Sequence, residues 1–246
     1  MFNGCSSLST LKISSFKTNK AEYLRGMFSS CSSLTSLNLS HFNTENVLNM
    51  AFMFYECRNL SYVNLLSFET SKVNAMDYMS AGCWSLTTIE ISHFKTSNLG
   101  WFNNMFSDCP LLTYLDITNL DTSSCLYFSL MFHKCSSLTS LNLKNFKTGK
   151  AVTMRDMFNG CSSLTSLDLS NFETSNVIDF GGMFLGCVNL TYINLSGLQA
   201  TNAVSMAGFF QGCWSLTSID LSSFRTQKVD KMNDMFSECY LLKLFI

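Results

Sequence analysis

Cysteine recurs at one fixed interval: Cys5, Cys31, Cys57, Cys83, Cys109, Cys135, Cys161, Cys187, Cys213 and Cys239 stand 26 residues apart without an insertion, and only Cys125 falls out of phase. Counting from each Cys, Leu returns at position three and Leu, Ile or Val at six and eight, so each unit opens C-x-x-L-x-x-L-x-L. Phe follows at position eleven (Phe42, Phe68, Phe94, with Leu120 and Leu198 as variants) and Thr at thirteen, broken only by Ala200. A small apolar residue at sixteen, Met or an aromatic at nineteen and Met-Phe at twenty-two and twenty-three close the unit. A strict period in this range means a solenoid, because one such unit cannot bury its apolar face except against the next.

The chain therefore reads as a single continuous solenoid over residues 1–246, with nine full coils across residues 5–238 and partial coils at both ends. Its single Pro argues against domains joined by Pro-rich linkers. Within a coil, L-T-S-L-N-L alternates apolar and polar in its second half, which predicts one strand of about four to six residues and a parallel ladder of stacked strands. The second half, as in Val47, Met50, Met53, Phe54 and Cys57, has apolar spacings of three, three, one and three. That spacing predicts one or two helical or 3₁₀ turns, with the Thr at thirteen as N-cap. Strands stack at about 4.8 Å and helices at about 8 to 10 Å, so a helical side would bend the solenoid and put the strands on its concave face. An extended or 3₁₀ second half would give a flatter rod.

L-x-x-L-x-L is also the strand signature of leucine-rich repeats. The whole unit, for example CSSLTSLDLSNFETSNVIDFGGMFLG over residues 161–186, resembles the 26-residue repeat of BspA-like bacterial surface proteins. The resemblance implies an α/β leucine-rich-repeat solenoid, a cell-surface or secreted location, and adhesion to host proteins or other cells. The Asn or Cys that the family pattern places two residues before its last consensus Leu is absent, so no asparagine ladder is expected.

The composition narrows the function classes. Only 13% of residues are charged and the net charge is −1, which leaves no electrostatic footprint for nucleic acid. No apolar run approaches the roughly 18 residues of a membrane span, and MFNGCSSLSTLKISS has no basic start followed by an apolar stretch, so the chain reads as soluble, without membrane insertion or signal peptide. No close Cys pair suggests zinc, and equivalent cysteines in adjacent coils would point parallel to one another, so free buried thiols are expected, with no metal and no cofactor. His41 and His93 lie two coils apart and His133 in another column, so no catalytic set converges and no enzyme is expected. The fourteen Met residues all fall in the columns at nineteen and twenty-two, as core. In the column at twelve the sign alternates from Glu69 through Lys95, Asp121 and Lys147 to Glu173, a pattern read as attraction between neighbouring coils.

Strand positions five, seven and nine should point outward, since six and eight point in. There the identities vary while the phase holds. Tyr62, Thr88, Tyr114 and Tyr192 occupy position five; Glu90, Asp116, Asp168 and Asp220 occupy position seven beside several Asn. Exposed Tyr is enriched at binding hot spots. These eight residues are the candidate partner-binding strip, and a protein or glycan ligand is the expected partner of a non-enzymatic module. The competing expectations are a structural rod or filament and, more remotely, ice binding through the Thr column. The abrupt ends, Met1-Phe2 in the Met-Phe columns and YLLKLFI with apolar Leu244 and Ile246, predict end-to-end self-association.

Overall fold

The computed structural model describes residues 1–245, so the expectation for Ile246 falls outside the described residues. The chain winds as a solenoid with a register of one 26-residue period: β1 (Ser36–Asn38) pairs in parallel with β2 (Tyr62–Asn64), Leu37 opposite Val63. The same pairing joins β3 (Ser166–Asp168) to β4 (Tyr192–Asn194) and β5 (Ser218–Ile219) to β6 (Leu244–Phe245). The strands are shorter than the alternation predicts, two or three residues each. They occupy positions five to seven, with six buried and its neighbours outward.

The second half of the coil is not helical. Among the described residues there is no α-helix or 3₁₀ turn. Instead a second ladder of parallel bridges runs at position eighteen, from Tyr23 to Asn49 to Ala75 and again from Trp101 through Tyr127, Thr153, Asp179 and Ser205 to Lys231. Alternate N–H groups beyond it reach the next coil: Leu24 donates to Asn49 O (2.9 Å), Gly26 to Ala51 O (2.9 Å) and Phe28 to Met53 O (3.0 Å). Helix bonds would consume those same donors, so the two patterns exclude each other.

Two consecutive β-turns produce the spacing that mimics a helix. Met53 N–H closes one turn on Met50 O (3.2 Å), and Cys57 N–H closes the next on Phe54 O (3.0 Å). The third residue of each has positive φ: Phe52 (59°) and Glu56 (56°). A turn with positive φ at its third residue favours Gly, which stands at the equivalent places as Gly26, Gly182 and Gly208, and as Gly82, Gly160, Gly186 and Gly212. Each turn swings the chain so that positions nineteen, twenty-two, twenty-three and the next Cys all face inward.

With the turn side of successive coils tied throughout by main-chain hydrogen bonds, and the strand side tied at most junctions, the turn side cannot open to helix-packing distance. The bend expected from a helical side is therefore not imposed. The candidate strip lies on a strand face, without a helical layer behind it to make it concave.

The Thr column proves to be a cap of a different kind. Thr44 is buried, and its hydroxyl donates to Glu69 O (2.9 Å) while accepting from Glu69 N–H (2.7 Å), so it satisfies both main-chain groups of one residue in the next coil. Thr18, Thr70, Thr122, Thr148 and Thr174 do the same. Their partners, Glu69, Lys95, Lys147 and Glu173 among them, include the column of alternating charges, yet no ion pair forms within that column among the described residues. Register is held by Thr rather than by charge. Asparagines outside the family's consensus position also join coils: Asn119 and Asn145 at position ten, and Asn46, Asn98, Asn176 and Asn202 at fifteen, donate to carbonyls of the preceding coil at 2.8–3.1 Å.

Inside, apolar columns stack on themselves. Phe2, Phe28 and Phe54 stack at 5.6 and 5.9 Å, and Phe106, Phe132, Phe158, Phe184, Phe210 and Phe236 continue the column at 5.2–6.1 Å. Ser80 interrupts it, and its buried hydroxyl has no hydrogen-bond partner among the described residues.

Thr122→Val keeps the shape but leaves the Lys147 N–H and C=O without the hydroxyl that serves them, and should cost about 1–3 kcal/mol in urea unfolding. Thr88→Val, on the exposed strand face, should stay within about 0.5 kcal/mol. Equal midpoints for the two variants would show that the Thr column does not hold the coils together.

Candidate functional site

Every strand-face candidate among the eight lies at the surface or partly so. Tyr62, Tyr114 and Tyr192 are 53%, 64% and 60% exposed. None of the three rings stacks on another aromatic among the described residues. The three do not form a continuous strip: two coils separate Tyr62 from Tyr114 and three separate Tyr114 from Tyr192. Thr88 fills the first gap, bridged to Tyr114 through the backbone, and Ser140 and Ser166 fill the second. The face is notched, with Tyr rings standing above small residues.

Position seven has a structural duty that sequence reasoning missed. The Asp168 carboxylate accepts from Ser170 N–H (3.0 Å), Asp220 from Ser222 N–H (2.8 Å), and Asp116 from Thr118 N–H (3.0 Å) and its hydroxyl (2.7 Å). Glu90 binds Ser92 in the same way, and Asn38, Asn64, Asn142 and Asn194 make equivalent bonds. These Asx-type turns carry the chain out of the strand, which explains why short acids and amides dominate the column. The Thr118 and Ser222 bonds hold the Asp116 and Asp220 carboxyls below the usual Asp range.

Three depressions adjoin this face. One of about 330 Å³ has the Tyr192 ring as a wall, with Ser140 and Ser166 beside Asn142 and Asp168. The next, about 190 Å³, shares Asn142 and Asp168 and adds Lys144, Ser170 and Asn171. The third, about 750 Å³, shares Lys144 and Asn171 and reaches Lys147, Lys150, Asp121 and Glu173. A separate aromatic group, with no role in the sequence reading, sits at the turns: Phe52 and Tyr78 stack at 4.7 Å beneath the Arg25 guanidinium, 4.5 Å from the Phe52 ring.

The in-phase cysteines are free, and from Cys31 to Cys239 each thiol donates to a carbonyl 29 residues earlier, Cys57 to Phe28 O at 3.0 Å and Cys135 to Phe106 O at 3.1 Å. Burial pushes the Cys57, Cys109, Cys125 and Cys161 thiols up to about 12. Cys5 is exposed and Cys239 half-buried. His41 bonds Ile13 O (2.8 Å), and His133, less exposed than a surface residue, has its basicity lowered by burial and a buried Nδ1 without a partner. No group of three or more His, Cys, Asp or Glu converges as a metal site among the described residues. Thr44, Thr70, Thr96, Thr122, Thr148 and Thr174 are buried, so the Thr column does not present a hydroxyl array to a crystal surface, against the ice-binding alternative.

A parallel ladder seated on C-x-x-L-x-x-L-x-L coils makes this a solenoid of the leucine-rich-repeat class. The chain belongs to the family described as "Mycoplasma protein of unknown function, DUF285", whose profile matches residues 1–87, 74–190 and 161–244. None of the curated proteins matches the sequence. Among solved structures, the chain is similar to a leucine-rich repeat protein of T. pallidum at 20% identity, with 85% of this chain aligned to 78% of that one at TM-score 0.45. A leucine-rich cell surface protein of Faecalibacterium prausnitzii is 18% identical, aligning 89% of this chain to 61% of its own at TM-score 0.45. A leucine-rich-repeat protein of Bacteroides ovatus is 18% identical over 90% of this chain and 77% of that one, at TM-score 0.36. No helix among the described residues is long and apolar enough to cross a membrane.

The thiol column generates a pH prediction. A thiol raised from an ordinary 9.0 to about 12, as at Cys57 and Cys161, favours the fold fully below pH 9 and loses that contribution as pH rises toward 12. Denaturant midpoints should therefore be flat up to about pH 8.5 and fall steeply above it. Alkylation of the folded chain near neutral pH should reach Cys5 quickly and the buried thiols only after denaturant is added. Several rapidly labelled thiols in the folded state would contradict the buried column.

Proposed function

We propose that this chain is a non-enzymatic binding module that engages a protein or glycan partner through its strand face, in an adhesive role at a microbial cell surface. The observation that carries this reading is the exposure of Tyr62, Tyr114 and Tyr192 on one face of a molecule that buries most of the Phe among its described residues. Tyr supplies a large contact area at low entropic cost and keeps a polar tip. The rigid Asx-type turns beside the rings fix the orientation of their polar neighbours, which lowers the ordering cost of binding. The surface location and the adhesive role rest on the resemblance of the repeat to BspA-like proteins. Thr88, Glu90, Asp116, Asp168 and Asp220 complete the proposed contact surface with the three tyrosines.

The test is a panel of extracellular-matrix proteins and immobilised glycans probed with the chain and with Tyr114→Ala combined with Asp116→Asn, which keeps the turn-forming oxygen. The pair should lose at least about 2 kcal/mol, roughly thirtyfold in affinity, with melting temperature and far-UV circular dichroism unchanged. Affinity held within about threefold, together with its loss in Trp84→Ala or Trp101→Ala, would move the binding face elsewhere.

A further inference from the structure

A strict repeat explains any residue that keeps its column, so a departure from the column is where a separate demand on the molecule shows. One departure coincides with concave surface. Position nine is Ser or Thr in seven of nine coils (Ser40, Ser92, Thr118 and Ser170 among them), but Lys144 in the coil that begins at Cys135. The same coil places Lys147 at twelve and Lys150 at fifteen, and no other coil is basic at all three positions. All three lysines are exposed, and none lies within ion-pair distance of a carboxylate among the described residues.

These lysines stand at one end of the three connected depressions. The path begins at the Tyr192 ring, passes over Ser140 and Ser166 and along Asn142 and Asp168, and at Lys144 opens into the cleft of about 750 Å³. Its chemistry changes along its length. At the Tyr192 end, an aromatic wall faces hydroxyls, an amide and a carboxylate. Ser140 and Ser166 make no side-chain hydrogen bond among the described residues, and the Asn142 and Asp168 bonds to the backbone leave one polar atom of each head group uncommitted. Such a set suits a ring with an apolar face and several hydroxyls on its rim. At the other end the lining carries three cations against two carboxylates, Asp121 and Glu173, and Asp121 is already bonded to Ser123 N–H (3.0 Å).

We infer that the path from Tyr192 to Lys150 binds an acidic oligosaccharide, with an uncharged sugar against the Tyr192 ring and a carboxylated or sulfated sugar among Lys144, Lys147 and Lys150. This rests on the strand-face reading and extends it from an unspecified partner to a ligand class and a polarity. An acidic peptide would satisfy the lysines, and its main-chain groups would bond the notch hydroxyls, but a glutamate chain brings no ring with an apolar face to set against Tyr192. The second depression shares Asn142 and Asp168 with the notch and Lys144 and Asn171 with the cleft, so a ligand of a few sugar units laid along these residues would reach both.

The test is calorimetric titration of the full chain with a linear tetrasaccharide of alternating N-acetylhexosamine and hexuronate, its carboxyl-reduced neutral form, and a glutamate tetrapeptide. The acidic sugar should bind at least about tenfold more tightly than the neutral form, and the peptide weakest. Lys144→Ala with Lys147→Ala should bring the acidic sugar down to the neutral level and leave the neutral sugar unchanged. Tyr192→Ala should weaken both sugars. Raising the salt should reduce only the acidic preference, because screening acts on the lysine end alone. Failure of both sugars to bind, equal binding of the peptide, or indifference of the acidic sugar to the lysine pair would each overturn the inference. If the sugars fail while Tyr114→Ala still weakens capture of a matrix protein, the strand-face reading stands and only the ligand class falls; if the Tyr114 variant also binds like the parent, both fall.

Discussion

No single coil of this chain can satisfy its own backbone. Each 26-residue turn leaves two rows of N–H and C=O groups facing along the solenoid axis, and only a neighbour in the same register pairs them, at the strands and again at position eighteen. Everything else is subordinate to that requirement. An extra residue within a paired segment would shift the donors of its own coil against the acceptors of its neighbours, and the chain has no insertion. Side chains that touch the joint are recruited to it: Thr44 serves both main-chain groups of Glu69, the Cys57 thiol reaches the Phe28 carbonyl, and Asn46 reaches that of Asn19. Burying those groups unpaired would cost more than packing alone returns.

Such a scaffold separates architecture from recognition. Inward columns and joint-making columns have no freedom, and the position-seven acids are half committed through their turns. The remaining freedom lies at positions five and nine and in the loop that follows, where Tyr192 and Ser166 share one column and Lys144 replaces the usual Ser or Thr of another. Recognition can be written there one coil at a time, at about 4.8 Å per coil.

The period, the parallel strand ladder, the inward columns and the buried thiols were legible in the sequence, because each follows from which residues are apolar and how often they return. The second half of the coil was not. Val47, Met50, Met53, Phe54 and Cys57 have the spacing of a helical stripe, yet two turns give the same spacing with different hydrogen bonds. The signal that separates the two is Gly26, Gly182 and Gly208, recurring where the backbone must take positive φ. That signal is diluted by Phe52, Tyr78 and Leu130 in the same column. Thr at thirteen was read as the N-cap of a helical turn that does not form; its hydroxyl instead serves a residue one coil away, a distance that sequence neighbours cannot show. At the candidate site, the exposed tyrosines were legible because they avoid every core column. The connected depressions were not, since they depend on which small residues lie beside Tyr192 in adjacent coils.

The missing ring at Ser80 gives the molecule a seam. In a stack where each layer touches only the layers on either side, cohesion is a chain of local interfaces, and the weakest one decides where the stack parts first. Between Phe54 and Phe106 the aromatic column is broken, and a buried hydroxyl sits there without a partner among the described residues. That layer is where the stack is expected to part first, and opening there would expose backbone edges on both sides at once. The residues from Tyr192 to Lys150 all lie C-terminal to that seam, so a ligand held there would tighten one half of the molecule and leave the seam itself untouched.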